Sequence, residues 1–519
     1  MAECGASHGN QCAPDDAGEL EGLHVIDSET ATVIIAPKAC DYVALSYVWG
    51  PPSEFVADFV FPGLPNAIPP TIADAISVTK ALGLRYIWID RYCINQADPE
   101  HKMQQIRQMG EIYSSARLTI VAAAGASPKY GLPGISRARQ VLMPEGQVVG
   151  SIALVCTAVS AAVDVYRSTW AYRAWTFQEA YLSRRRLFFT DHTVLYVCAQ
   201  GQKADIFKQN FTLGNVYNNR TLELFLPWTF AMSFPKDWNV QSENLAVAAR
   251  HVKAFSERLL TYDSDALNAT LGILDRLSKM DQDPVYHLWG VPFAPYNREY
   301  QNSSSVMQSY DIALNWFHDT PCRRRTGFPT WSSIAWDGKA EHADQDQLMV
   351  PDHLDLRVMC SGVSMSLEEY VKSGCVLQDS GSPDAPVKLE LRQVTTIPLR
   401  LTTMEDGIIG VVLQFSIDID LVIRVFVDEA GLELDSIFTG AIIYRDHQSR
   451  RIMIMILSPR NGIYERVGFI VLDEDRIAPD GRVCDRKSGQ PIRDAQYLNA
   501  NLERPVRFVS EAKEDVILG

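Results

Sequence analysis

The chain has 519 residues, of which 47% are hydrophobic, and at about 150 residues per domain it is long enough to build two to four cores. Its formal net charge of −15 argues against a nucleic-acid-binding protein, because phosphate binding calls for Lys and Arg clustered on one face. The expected partners are therefore small molecules or other proteins.

The N-terminal stretch Met1–Gly22 has neither a basic region nor an apolar core, so it does not resemble a secretory signal. We predict a disordered tail over residues 1–25. The most apolar run, Val148–Val163, is shorter than the ~20 residues that cross a bilayer, and it predicts a buried strand and turn rather than a membrane span. Ten cysteines are scattered without a CxxC pair, which indicates a reducing, cytoplasmic location. We predict no metal site and no cofactor.

The first third of the chain alternates strand-like and helix-like segments. Asp41–Gly50 and Leu84–Asp90 are short runs rich in apolar β-branched and aromatic residues, and both predict strands. After the second strand, Asp98 is placed to cap a helix that begins at Pro99. Apolar residues at helical spacing predict the buried face of this helix, namely Met103, Ile106, Met109 and Tyr113.

A third strand is predicted at Leu118–Gly125, and "RRLFFTDHTVLYVC" predicts a strand pair or hairpin. Strands that alternate with helices indicate a largely parallel sheet with helices on its faces. Ligands of such sheets bind beyond the carboxyl ends of the strands. The predicted residues at these ends are Asp90, Arg91, Cys93, Asn95 and the Tyr47–Gly50 segment.

The pattern changes twice after the first third. From about residue 206 to 330 the chain is helical and aromatic, with "SERLLTYDSDALNATLGILDRLSKM" as its clearest amphipathic part. Over residues 331–519 we predict a β-rich region, because the apolar residues beyond Pro386 alternate with a period of two. Asn461-Gly462 predicts a hairpin turn within it.

Three stretches together resemble the signature blocks of the fungal heterokaryon-incompatibility (HET) domain family: "YVALSYVWG", "YIWIDRYCINQADPEHKMQQIRQMGEIYSSARLTIVAAAG" and "YRAWTFQEAYLSRRRLFF". The resemblance covers roughly Tyr42 to Cys198, and we place the domain at residues 26–205. Ala174 stands where the family more often has Gly. The resemblance implies a fungal protein of self/non-self recognition and programmed cell death, with an α/β fold similar to the Toll/interleukin-receptor (TIR) and flavodoxin-like sheets.

Some TIR domains hydrolyse NAD with a carboxylate on a helix, and "WTFQE" is similar to their motif. Trp175 and Glu179 are four residues apart and would share one face of a helix. The resemblance therefore implies an NAD glycohydrolase with Glu179 as catalytic carboxylate and NAD as substrate. The substrate-binding residues predicted with it are Tyr47, Trp49, Gly50, Asp90, Arg91, Cys93, Asn95 and Trp175.

Each of these residues also has a purely structural interpretation. A residue such as Trp175 is more often a core or interface anchor than a ring that stacks on a ligand. Glu179 is equally typical of a buried ion pair with Arg184 or Arg173. Arg184–Arg186 is most simply a solvated helix end, with phosphate binding as the alternative. Asp90 suits a turn cap, Cys93 a small buried apolar residue, and Gly50 a tight turn.

Two functions of different class remain open from the sequence. One is a cell-death effector that hydrolyses NAD, and the other is a non-enzymatic signalling module that works by TIR-like assembly with itself or with protein partners. We expect the isolated full-length chain to be silent. The alternatives differ in whether Glu179 opens towards the Tyr47–Gly50 and Asp90–Asn95 loops or is buried against an arginine.

Overall fold

The computed structural model describes most of the chain, with the following ranges: 2–16, 18, 20–51, 60–140, 146–149, 152–155, 161–198, 201–204, 244–280, 284–294, 314–342, 354–360, 362–373, 387–403, 409–414, 419–428, 432, 437–446, 451–473, 482–485 and 508–519. The chain divides into two compact units. Unit 1 comprises residues 1–239, 258–261 and 268–273, and unit 2 comprises residues 240–257, 262–267 and 274–519. The described residues of the predicted helical extension, 206–330, divide between these units.

Unit 1 is an α/β structure whose strands are β1 (His24–Asp27), β2 (Thr32–Ile35), β3 (Tyr42–Ser46), β4 (Tyr86–Trp88), β5 (Leu118–Ala122), β6 (Gly146–Val149), β7 (Ile152–Val155), β8 (Arg185–Phe189), β9 (Val194–Cys198) and β10 (Gly201–Ala204). Eight of them form one sheet in the order β10-β9-β8-β5-β3-β4-β1-β2, while β6 and β7 pair with each other. β6 and β7 overlap the run Val148–Val163, which was predicted as a strand and turn, and α6 begins at Ala161 near the end of that run. Residues 150–151 and 156–160 lie outside the described part.

The sheet is mixed. Its four central strands, β8, β5, β3 and β4, are parallel, whereas β1, β2, β9 and β10 pair antiparallel. The prediction of a largely parallel sheet therefore holds only for the centre, because short connections such as those between β1 and β2 and between β8 and β9 permit only antiparallel pairing. Strand β3 is buried along its whole length, as expected for a central strand covered on both faces.

Helices accompany the strands in both units: α1 (Ala2–His8), α2 (Pro70–Ala81), α3 (Asp90–Cys93), α4 (Pro99–Arg107), α5 (Met109–Ser115), α6 (Ala161–Arg167), α7 (Ala174–Leu182), α8 (Asn244–Ser256), α9 (Asn268–Ser278) and α10 (Leu367–Lys372). Short 3-10 turns occur at Gly9–Cys12, Trp170–Tyr172, Asp263–Asp265 and Ser333–Ala335. No helix in the described ranges has the length and apolarity that crossing a membrane requires.

The predicted helix after β4 begins where expected, and two of the four residues predicted on its buried face, Met109 and Tyr113, are buried. The Asp98 carboxylate accepts hydrogen bonds from the backbone N–H groups of Glu100 and His101, which caps α4. The helix is interrupted at Gln108, so the apolar positions on its two sides do not form one stripe. Met103 is exposed, and Gln105 is buried instead, with its amide donating to the Glu21 carbonyl at 3.0 Å.

Two further sequence predictions in unit 1 are corrected. The tail predicted to be disordered contains α1, whose Cys4 packs against Cys12 and Cys198. The arginine run is not a solvated helix end, because α7 ends at Leu182 and β8 begins at Arg185, which leaves Arg185 and Arg186 buried in the sheet. The predicted hairpin of β8 and β9 is confirmed.

Unit 2 is rich in antiparallel strands, as predicted for residues 331–519. Its short strands are β11 (Tyr286–Leu288), β12 (Val291–Phe293), β13 (Trp316–His318), β14 (Arg323–Arg324), β15 (Trp336–Asp337) and β16 (Ala340–His342). An eleven-stranded sheet follows, composed of β17 (Asp355–Cys360), β18 (Val363–Ser366), β19 (Lys388–Thr403), β20 (Ile409–Gln414), β21 (Ile419–Arg424), β22 (Phe426–Val427), β23 (Ile437–Asp446), β24 (Arg451–Arg460), β25 (Ile463–Asp473), β26 (Arg482–Asp485) and β27 (Ala512–Leu518).

Within this sheet the predicted Asn461-Gly462 turn joins β24 to β25. Both residues have positive φ, 51° at Asn461 and 80° at Gly462, as a type I′ hairpin turn requires. We expect Gly462→Ala to lower the free energy of unfolding by about 1 kcal/mol, because a Cβ is disfavoured at positive φ. Urea titration of the full chain measures this cost. Asn461→Gly is the matched control and should not destabilise, and an unchanged midpoint for Gly462→Ala would contradict the assignment.

Candidate functional site

The segments that follow β3 and β4 meet at one edge of the sheet of unit 1. The two strands are parallel neighbours, with Ala44 opposite Trp88, so their carboxyl ends lie side by side. The indole Nε1–H of Trp49 donates to Oδ2 of Asp90 at 2.8 Å, and the Arg91 guanidinium lies 5.6 Å from the centre of the Trp49 ring. Three residues predicted to bind substrate are therefore in contact.

Glu179 lies on α7 and points into the same end of the sheet. It is only 5% exposed, and its Oε2 accepts a hydrogen bond from Oγ of Ser46, the last residue of β3. The indole of Trp170 donates to the same Oγ at 2.7 Å, so the Ser46 hydroxyl is turned towards the carboxylate. Tyr113, whose hydroxyl also donates to the Leu45 carbonyl at 3.3 Å, interacts with Glu179 from α5.

Burial weakens both acids of this site. Burial is the main cause that raises the pKa of Glu179 to about 7, and the negative charge of Asp90 raises it further. Hydrogen bonding from Ser46 and the charge of Arg173 partly oppose the rise. Burial also raises the pKa of Asp90 to about 6, against hydrogen bonds from Trp49 and the Arg91 backbone N–H. The two carboxyl groups therefore interact electrostatically and titrate near neutral pH.

Neither arginine considered from the sequence forms a salt bridge with Glu179. Arg184 pairs instead with Asp15, with 2.6 Å between Nη2 and Oδ1. Arg173 donates from Nη1 to the Tyr47 carbonyl at 3.0 Å and affects Glu179 only through its charge. Within the described residues no salt bridge joins Glu179 to a basic side chain, so the interpretation as half of a buried ion pair is wrong.

Tyr47 provides an unsatisfied hydroxyl at this site. The residue is only 4% exposed, and its hydroxyl has no hydrogen-bond partner in the part of the chain that the structure describes. Burial, followed by the charge of Asp90, raises its pKa above the ordinary range, so the hydroxyl stays protonated. A buried donor without a partner costs free energy, which a ligand or a water molecule at this position would recover.

Of the remaining predicted residues, Cys93, Asn95 and Gly50 have local structural roles, and Trp175 is only partly buried. Cys93 is enclosed in the core, where its Sγ accepts from the Ile89 N–H at 3.3 Å and burial raises its pKa to about 12. Asn95 shapes its own loop, accepting from the Ala97 N–H at 3.2 Å. Gly50 has a φ of 79°, which favours glycine, and Trp175 is half-buried one turn before Glu179.

Three residues of the site were not predicted from the sequence: Ser46, Tyr113 and Trp170. A weak indication of Ser46 was present in the sequence, because a polar residue at the end of the apolar strand "YVALS" lies where ligands of such sheets bind. Tyr113 was assigned to the apolar face of a helix, and its hydroxyl function depends on the packing of α5 against β3. Trp170 precedes the recognised motif, and nothing local indicates that its indole faces Ser46 across 124 positions of sequence.

The Ser46 hydrogen bond should control the ionisation of Glu179. We expect Ser46→Ala to raise the pKa of Glu179 by about one unit, because a hydrogen bond to a charged group contributes about 1.5 kcal/mol or more. The pH dependence of urea unfolding, compared between wild type and variant, measures the shift. Ser77→Ala, on the exposed side of α2, is the control. An unmoved pH dependence would show that Ser46 does not stabilise the carboxylate.

Comparison with known proteins locates this site within a recognised family region. Residues 42–179 match the family described as heterokaryon incompatibility protein (HET). A similar protein is "Heterokaryon incompatibility protein 6, OR allele" of Neurospora crassa, 37% identical over 103 residues, which are 17% of this chain and 15% of that relative. The chain thus matches only a small part of the relative's length. No solved structure matches the chain significantly.

Proposed function

We propose that this protein, whose residues 42–179 match the heterokaryon-incompatibility (HET) family, acts in fungal self/non-self recognition and regulated cell death by hydrolysing NAD. The proposal rests on the pair of acids Asp90 and Glu179 at the carboxyl end of the sheet. Burial raises the pKa of both, and the negative charge of Asp90 raises that of Glu179 further. Acids perturbed in this way by a specific neighbour are typical of catalytic sites.

The order of the parallel strands supports this location. If β3, β4, β5 and β8 are numbered 1 to 4 in chain order, their order across the sheet is 2-1-3-4. Flavodoxin-like sheets begin with the same strand order. Ligands of such sheets bind where the strand order reverses, which here is between β3 and β5. Ser46 ends β3 and holds Glu179 beside this point. The arrangement supports the TIR-like interpretation of the domain.

The chemistry fits an ionised carboxylate. When the nicotinamide–ribose bond breaks, nicotinamide leaves with the electron pair as a neutral molecule, and the ribose develops oxocarbenium-like positive charge. Ionised Glu179 would stabilise that charge. Water then adds to the ribose carbon and releases a proton. Trp49 and Trp175 would provide ring surface for the substrate, Arg91 positive charge, and Tyr47 its free hydroxyl.

One observation favours a second function, that of a non-enzymatic module. Glu179 is only 5% exposed and already accepts a hydrogen bond from Ser46. A buried carboxyl group whose hydrogen bonds are satisfied within the domain can have a purely structural role, and it requires no substrate. The protein would then signal by assembly with copies of itself or with protein partners, and NAD would play no part.

The deciding experiment measures NAD consumption by the full-length chain under conditions in which it triggers cell death. Purified protein that is assembled and death-competent is incubated with NAD, and nicotinamide and ADP-ribose are quantified by chromatography. We expect both products in equal amounts, and little turnover by the isolated, unassembled chain. Absence of NAD consumption by the death-competent protein would refute the enzyme and support the assembly module.

A further inference from the structure

A second group of reactive side chains lies at the edge of unit 1, away from the two carboxylates. It consists of Cys4 and His8 on α1, Cys12 in the 3-10 turn that follows, and Cys198 at the end of β9. All three cysteines are buried, whereas His8 is half-buried. Their sulfur and nitrogen atoms all lie within 4.8 Å of one another. Residues that are 190 positions apart thus converge on one point.

The separations are those of a tetrahedral metal site. With Zn–S bonds of ~2.3 Å and Zn–N bonds of ~2.0 Å, sulfur and nitrogen ligands at tetrahedral corners are about 3.5 Å apart. The Nδ1 atom of His8 lies 3.6 Å from Sγ of Cys12 and 3.4 Å from Sγ of Cys198. A disulfide would use only two of the sulfurs and no imidazole. An iron–sulfur cluster would hold its ligands farther apart than 4.8 Å.

The charge around the group fits the same interpretation. Three thiolates and a neutral imidazole bound to a divalent ion carry a net charge of −1. Arg185 is only 5% exposed and pairs across the hairpin with Cys198, so its side chain lies on the same face of the sheet. In the described part of the chain it forms no salt bridge with a carboxylate, and its Nε has no hydrogen-bond partner. A negative metal centre would compensate this buried cation.

We propose that Cys4, His8, Cys12 and Cys198 bind one Zn²⁺ ion. Since all four positions are filled by protein, the site is closed, and it is structural rather than catalytic. The ion fixes α1 to the end of β9, which lies between β10 and β8 in the sheet. The spacing C-x3-H-x3-C places the first three ligands on successive turns, and only the fold adds the fourth.

Metal analysis of the purified full-length chain tests this proposal. Mass spectrometry of zinc, iron and copper is expected to find one zinc per chain. Replacing zinc with Co²⁺ should produce the visible absorption of tetrahedral cobalt bound to thiolates. Cys198→Ser should lose the metal, whereas Cys40→Ser, at a free cysteine outside the group, should retain it. Chelation should lower the melting temperature of the wild type, and added zinc should restore it.

Several results would overturn the zinc site. They are less than half an equivalent of zinc in the wild type, full retention of zinc by Cys198→Ser, a different metal in its place, or a disulfide among the three cysteines in peptide mapping. If Cys198→Ser does not fold, the cobalt spectrum of the wild type decides, because it needs no variant. Absence of tetrahedral cobalt bands would then refute the proposal.

Discussion

Replacing Glu179 with glutamine is expected to reduce NAD turnover by ~100- to 1,000-fold, because the substitution removes ~3–4 kcal/mol of transition-state stabilisation. Glutamine keeps the shape of the side chain and can still accept the hydrogen bond from Ser46. What it lacks is the negative charge opposite the developing ribosyl cation. NAD consumption by death-competent protein at pH 8, where wild-type Glu179 is ionised, measures the loss. Glu100→Gln, on the exposed side of α4, is the matched control.

The same substitution should alter stability in a pH-dependent way. Folding raises the pKa of Glu179 from 4.5 to about 7, so its favourable contribution is complete below pH 4.5 and is lost as the pH rises through 7. Glutamine does not ionise. Between pH 4 and pH 8 the variant should therefore gain about 3 kcal/mol of unfolding free energy relative to wild type. Urea titrations at several pH values measure this difference.

NAD turnover and unfolding free energy of Glu179→Gln together distinguish a catalytic role of Glu179 from a role in an ion pair. A large loss of turnover, with stability equal to or above that of wild type at pH 8, supports a catalytic carboxylate. Equal turnover by Glu179→Gln and an active wild type would remove Glu179 from the mechanism. A loss of ~3–5 kcal/mol on substitution would instead indicate a broken ion pair, contrary to the hydrogen bonding found around this residue.

In unit 2 we expect Asp428→Asn to cost about 3–5 kcal/mol of unfolding free energy, because it leaves a fully buried arginine without its counter-charge. Asp428 and Arg466 are both 0% exposed, and Oδ2 of the carboxylate lies 2.9 Å from Nε of the guanidinium. Burial opposes ionisation of Asp428, but the charge of Arg466 and the hydrogen bond from His318 outweigh it and lower its pKa. The pair is therefore ionised in the folded protein.

The contacts around Arg466 hold its guanidinium in place, so it cannot move to another counter-charge when the charge of Asp428 is removed. Its Nη1 donates to the Leu314 carbonyl at 2.9 Å, its Nη2 donates to the Trp316 carbonyl, and its guanidinium lies 3.5 Å from the centre of the Trp316 ring. Nδ1 of His318 lies 3.0 Å from Oδ1 of Asp428. Asparagine at position 428 would keep one oxygen as an acceptor, but it would lack the negative charge and the second oxygen of the aspartate.

Urea unfolding of the full-length chain at pH 7 measures the effect on unit 2. Glu368→Gln is the control, because it removes an exposed i,i+4 pair with Lys372 and should change stability by no more than ~0.5 kcal/mol. A midpoint for Asp428→Asn that coincides with that of wild type would contradict the assignment of a stabilising buried pair.

Local signals in the sequence were sufficient for several elements of both units. Asp98 and Pro99 predicted the start of α4, and Asn461-Gly462 predicted the turn between β24 and β25. Such features depend on the stereochemistry of a few adjacent residues, which is the same in any fold. The resemblance of three blocks to one family, likewise, needed only the order and spacing of residues along the chain.

Where a local sequence pattern was compatible with more than one structure, tertiary packing decided which residues are buried. The basic run "RRR" suits a solvated helix end, yet Arg185 and Arg186 enter β8 and are buried. Met103 has the spacing of a core residue but is exposed, and the break at Gln108 keeps the apolar positions of α4 and α5 from forming one continuous face. Hydrophobic periodicity describes one regular element, and it cannot report where that element ends or what covers it.

The sequence by itself determined which residue types and local elements this protein has, whereas the tertiary structure alone decided which side chains meet. Ser46 reaches Glu179 across 133 positions, and His8 reaches Cys198 across 190. Asp90 raises the pKa of Glu179 because the sheet brings both carboxyl groups to one edge and excludes water from them. Proximity and desolvation arise from packing over long sequence distances, and no local pattern encodes either of them.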